Sequence, residues 1–132
     1  MMNRHDISDL ISMSRTYGSD TRFVLLGGGN TSKKIGDVMY VKASGCALSD
    51  IDSDGFVAMS LPKLKAIWEK CYSEEAQKRE EEILLDMMDA RCEGETSRPS
   101  VEALLHSIIP YTYVVHLHPA LVNGLTCSQS GR

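Results

Sequence analysis

Over residues 6–17, Ile7, Leu10, Ile11 and Ser14 recur at helical spacing, which predicts a short amphipathic helix with Asp6 as its N-cap and Gly18 as its stop. Two apolar runs follow. Phe23-Val24-Leu25-Leu26 leads into Gly27-Gly28-Gly29-Asn30-Thr31-Ser32, and Val38-Met39-Tyr40-Val41-Lys42 leads into Ala43-Ser44-Gly45, so each reads as a strand that ends in a loop. Residues 56–59 form a third short strand after the turn-rich segment from Asp50 to Gly55. Ser60 is placed to cap a helix carrying Leu64, Ile67, Trp68 and Cys71 on one face. A second helix carries Ala76, Ile83, Leu84, Met87, Met88 and Arg91, with Glu80-Glu81-Glu82 as its solvated face. Ser100 caps a last helix that buries Val101, Leu104, Leu105, Ile108 and Ile109, and residues 113–118 form a strand cut off by Pro119. The order helix, three strands, three helices, strand predicts one mixed α/β domain over residues 1–132, with no internal boundary.

Composition narrows the class. The 132 residues are 42% hydrophobic, and a chain of this length buries enough surface for a core without disulfides or a structural metal. No apolar run reaches bilayer length, and no signal-type stretch follows Met1, so a soluble cytoplasmic protein is expected, without a membrane partner. Cys46, Cys71, Cys92 and Cys127 form no C-x-x-C pair and read as reduced packing residues. The net charge of −4 is concentrated in the acidic stretch from Glu69 to Glu95, and no basic stripe with interleaved aromatics exists, which argues against nucleic acid. Asp52 and Asp54 suggest calcium, but an EF-hand loop needs further oxygen ligands and a closing glutamate that this segment lacks.

The strongest chemical signal is His116-Leu117-His118. Residues two apart in a strand point to the same face, so both imidazoles can reach one ion while Leu117 turns away. Glu102 sits in the first turn of the preceding helix, where it is a candidate ligand or base, or simply a carboxylate favoured by the helix dipole. His106, four residues on, shares that face and offers either a ligand or a structural imidazole; the structural role is the expected one. His5 has no neighbouring candidate ligand and receives no role. The loop from Gly27 to Ser32 has bare amides and polar side chains suited to an anion, yet it matches neither the dinucleotide fingerprint nor the P-loop. Lys42-Ala43-Ser44-Gly45 and Ser100 are two further candidate anion donors.

Taken in order, Gly28-Gly29-Asn30-Thr31-Ser32, Lys42-Ala43-Ser44-Gly45, Pro99-Ser100-Val101-Glu102 and His116-Leu117-His118 resemble the class II aldolase/adducin family. The branch resembled most carries G-G-G-N-T-S and R-P-S-V-E-x-L-L-H and includes the aldolase domains of bifunctional rhamnulose-1-phosphate aldolase/alcohol dehydrogenases. The resemblance implies an α/β/α layered sandwich with a mixed, largely antiparallel central sheet, here truncated at its C-terminus. It further implies a zinc-dependent lyase, or one using another divalent ion, that cleaves a ketose 1-phosphate into dihydroxyacetone phosphate and an aldehyde. His116 and His118 would be metal ligands and Glu102 the acid/base. Gly29, Asn30, Ser44, Gly45 and Ser100 would hold the phosphate of a small sugar-phosphate partner, in a self-associating, tetrameric protein. A sugar-phosphate epimerase and a noncatalytic adducin-like assembly module are the alternatives within the family. Two departures from its pattern stand out: no histidine follows His118, and Val101 occupies the place of a second serine.

Overall fold

The computed structural model describes residues 6–20 and 29–117. Strands β1 (Asn30–Ile35), β2 (Val38–Lys42), β3 (Phe56–Ser60) and β4 (Tyr113–His116) form one antiparallel sheet in the order β3-β2-β1-β4. Helices α1 (Ser8–Gly18), α2 (Leu61–Glu69), α3 (Ala76–Asp89) and α4 (Ala103–Ile108) flank it. Successive strand residues point to opposite faces, and this alternation divides the core in two. Met39, Val41, Val57 and Met59 face one way and pack with Leu64 and Ile67 of α2, Met87 of α3 and Ala103 of α4. Tyr40, Phe56 and Ala58 face the other way and pack with Ile7, Leu10, Leu48 and Ile51. With α1 on one face and α2, α3 and α4 on the other, the layers are α/β/α, as the resemblance implies. Among the described residues, no helix is long and apolar enough to cross a membrane.

Strand β1 corrects the sequence reading, which leaves Asn30, Thr31 and Ser32 in a loop. The segment Asn30-Thr31-Ser32-Lys33-Lys34 has no apolar alternation to reveal a strand. It is nonetheless buried at its start, where each polar side chain finds at least one partner, although Asn30 Oδ1 has none among the described residues. The Ser14 hydroxyl donates to the Leu10 carbonyl at 2.7 Å, and Thr31 Oγ1 lies 2.6 Å from Ser14 Oγ. On the opposite face Asn30 meets Glu102 and Ser32 meets His106. Burial of these groups is tolerable only when they are paired in this way.

The same polar face overturns the expected buried side of α4. Ala103 and His106 face the sheet, whereas Val101, Leu105 and Ile108 are exposed. A small residue and a hydrogen-bonding ring suit β1 better than leucines do. Trp68 is also exposed, with its indole N–H donating to Ser107 Oγ at 3.3 Å, and Cys71 is exposed beyond the end of α2. Helix α1 begins one residue later than the cap assignment requires: Ile7 holds the N-cap position and the Asp6 carboxylate accepts from Ser8 N–H at 2.9 Å. Gly18, the last residue of α1, has no room for a side chain. A Cβ there would fall 2.4 Å from Leu48 Cβ and 2.5 Å from the Leu48 carbonyl carbon. The expected strand over residues 23–26, the turn glycines Gly27 and Gly28, His118 and Cys127 lie outside the described residues.

A polar clasp joins α1 to the β1–β4 edge. Lys33 Nζ donates to both Asp9 oxygens, at 3.0 and 2.8 Å, and the Tyr113 hydroxyl donates to Asp9 as well. These bonds, Lys33 first, hold the Asp9 carboxyl down at about 2. Because the folded value lies below the unfolded one, the contribution is complete above about pH 4 and is lost as pH falls toward about 2. Thermal midpoints measured across that window should fall less steeply in Asp9→Asn. The clasp is solvent-exposed, so added salt should shrink the difference.

Candidate active site

Among the described residues, those singled out from sequence lie toward the end of the sheet where β1 begins and β2 and β4 finish. Antiparallel register places Asn30 directly opposite His116, so both side chains emerge on the face covered by α4. Leu117 packs with the α1-side cluster, on the opposite face from His116 as the strand period requires. The loops beyond β2 and before α4 are stitched to this end by backbone bonds. Ser44 N–H donates to the Arg98 carbonyl at 2.8 Å, Ser100 N–H donates to the Lys42 carbonyl at 3.0 Å, and Ala43 bridges Pro99. The Ser100 side chain accepts from Glu102 N–H at 3.3 Å in the turn before α4, but Ser100 is not the cap the sequence predicts: Glu102 itself holds the N-cap position and no side chain caps the helix.

Glu102 is the centre of the arrangement. Its Oε2 accepts from Asn30 Nδ2 at 2.8 Å and lies 2.5 Å from His116 Nδ1. The carboxylate and the imidazole are thus in direct contact. His106, one helical turn on, is fully buried with Nδ1 2.7 Å from Ser32 Oγ. Burial pushes its imidazole down to about 4, so it is neutral at physiological pH. Glu102, His106 and His116 each place one donor atom within 4.8 Å of the others. Two imidazoles and a carboxylate are a donor set suited to zinc. The chemistry of these residues therefore fits a divalent ion.

Gly29 lies directly before β1 in the left-handed region, with φ of 89°, and Gly45 does so in the loop after β2, with φ of 86°. Ser44 and Gly45 are exposed while Asn30 and Ser100 are buried. Asn30 is committed to Glu102 through its amide nitrogen, a role the sequence does not suggest. Lys42 is a second such residue. Its buried ammonium donates to the Cys46 carbonyl at 2.6 Å and the Ala43 carbonyl at 3.3 Å, fastening the loop that carries Ser44 and Gly45, and burial lowers its pKa. Its place in the Lys42-Ala43-Ser44-Gly45 motif was the available signal. Asp52, weighed for calcium, instead caps a turn by accepting from Asp54 N–H at 3.0 Å.

An α/β/α domain with a carboxylate and imidazoles clustered at one end of an antiparallel sheet defines the class. The chain belongs to the Class II Aldolase and Adducin N-terminal domain family, whose model matches residues 8–132. It is 29% identical over 135 residues to the uncharacterized oxidoreductase YuxG of Bacillus subtilis (strain 168), an alignment covering 96% of this chain and 19% of that protein. It is similar to the solved N-terminal class II aldolase domain of a conserved protein from Thermoplasma acidophilum, with a TM-score of 0.75 and 30% identity. That match covers 98% of this chain and 62% of the other. The chain thus spans about a fifth of the curated relative and less than two thirds of the solved one.

Proposed function

We propose that this domain is a zinc-dependent lyase that cleaves a ketose 1-phosphate into dihydroxyacetone phosphate and an aldehyde. The observation that carries the reading is the meeting of Glu102 with both Asn30 and His116 at one end of the sheet. His116 and His118 would hold the ion, with Glu102 beside it. Bound there, a divalent ion supplies Lewis acidity toward the substrate ketone. Glu102 is the proton carrier: it takes the proton of the hydroxyl that becomes the aldehyde oxygen as the carbon–carbon bond breaks, the electron pair of that bond stays with the ketone fragment, the aldehyde departs, and Glu102 returns the proton to the vacated carbon. Asn30 orients the carboxylate for that transfer, and a positioned base of this kind depends on such constraint.

Gly29, Ser44, Gly45 and Ser100 would hold the phosphate, with Asn30 at the junction of the two subsites. Backbone amides and hydroxyls suit a dianion that is placed but not transformed. Self-association, as a tetramer, belongs to the same proposal. The test is to incubate the zinc-loaded chain with rhamnulose 1-phosphate and follow dihydroxyacetone phosphate through a coupled dehydrogenase. Its zinc-dependent release is expected. A chain that holds zinc yet releases no triose phosphate, or only interconverts epimers, would contradict the lyase reading.

A further inference from the structure

Helix α4 turns its polar inner side to the sheet and leaves an apolar ridge outside. Val101 at its entry, Leu105 and Ile108 recur at helical spacing along that ridge, and all three are exposed. Beside the ridge, α2 and α4 enclose a groove of about 690 Å³ whose apolar lining includes Leu61, Trp68, Ile108 and Pro110. Trp68 is half-exposed although its indole N–H is already satisfied by Ser107 Oγ at 3.3 Å, so what stays bare is its apolar ring. Single apolar residues on a surface need no explanation, but a contiguous ridge and groove do. Tryptophan in such a hollow is the residue type that anchors protein interfaces.

The charges around the groove select the partner. Among the described residues, Lys34 and Lys65 line it together with Asp37 and Glu69, two of each sign. An anionic membrane or a nucleic acid calls for a net positive surface, and a basic peptide for a net negative one. A second copy of the chain calls for neither. A two-fold axis sets a patch against itself, so each sign must find its opposite within that one patch. The shape meets the same condition, because a ridge and the groove beside it are what two copies exchange across such an axis.

We propose that the outer face of α4, with the α2–α4 groove beside it, is the contact between two copies of this chain: the ridge of each copy lies in the groove of the other and covers Trp68. Helix α4 has only six residues, too few for a stable helix by itself, and its buried residues are Ala103 and His106. A covered outer side therefore braces the helix that follows Glu102. The proposal rests on the self-association named with the function and on none of its chemistry.

Trp68 is the chain's single tryptophan, so its fluorescence reports on this face alone. Sedimentation velocity across the micromolar range should show reversible self-association beginning with a dimer, and tryptophan emission should move to shorter wavelength in step with it. Ile108→Lys sets a charge in the middle of the buried patch, at a position exposed in the single chain, where a substitution disturbs folding little. Association should weaken about tenfold or more in that variant, with emission held at the monomer's wavelength. Leu85→Lys, on α3 outside the groove and 69% exposed, should associate as the wild type does. A chain that stays monomeric throughout would overturn the proposal together with self-association. Association that leaves Trp68 emission unchanged, survives Ile108→Lys, or is lost equally in Leu85→Lys would overturn the proposal alone. A monomer whose emission moves only on phospholipid vesicles would give the face to a membrane and overturn it as well. Lyase activity enters none of these outcomes, so a failed contact and a failed chemistry stay distinguishable.

Discussion

Glu102→Gln is expected to lose turnover by about 10²- to 10⁴-fold, the usual contribution of a positioned acid or base, while still binding zinc through its histidines. The substitution preserves shape. The glutamine carbonyl can accept from Asn30 Nδ2 as the carboxylate does at 2.8 Å, so that bond and the start of α4 should survive. What disappears is a group that gains and releases a proton. Steady-state kinetics with zinc stoichiometry measured on the same samples separates the outcomes: near-wild-type turnover would remove Glu102 from the chemistry. Loss of zinc together with activity would make it chiefly a ligand.

Phe56→Ala should be the most damaging of the single core truncations, at roughly 3–5 kcal/mol. Phe56 is 1% exposed and opens β3 opposite Lys42, within the cluster of Leu10, Tyr40, Leu48 and Ile51 on the α1 side. Its loss leaves a cavity that neighbours fixed by sheet register cannot fill. A domain of this size has only about 5–15 kcal/mol to lose, so urea unfolding should show a large drop in midpoint with little change in slope. A shift of less than about 1 kcal/mol would mean that α1 and the 3-10 turn at Leu48–Asp50 relax into the space.

The apolar strands β2 and β3 and the helices α1 to α3 were legible because their hydrophobic residues repeat with the period of the element. β1 was not, since Asn30, Thr31 and Ser32 are buried through side-chain hydrogen bonds, which leave no periodic trace in one sequence. The misjudged side of α4 has the same origin. An apolar stripe predicts burial only when the facing surface is apolar, and here the facing strand is polar. At the site, Glu102 and His116 were visible from the H-x-H spacing and the helix that leads into it. The Asn30–Glu102 and Ser32–His106 bonds join residues 72 and 74 positions apart, and no local pattern announces a pairing at that range. Lys42 was visible as part of a motif, but its task of holding the Ala43 and Cys46 carbonyls emerges only from the folded loop.

The claim that His116 belongs to a divalent-metal centre beside Glu102 is tested most directly by elemental analysis of the purified chain after mild chelation and zinc readdition, beside His116→Ala. Near one zinc per chain, about the stoichiometry of a single catalytic site, is expected for the wild type and almost none for the variant. Full zinc occupancy in His116→Ala would contradict the assignment.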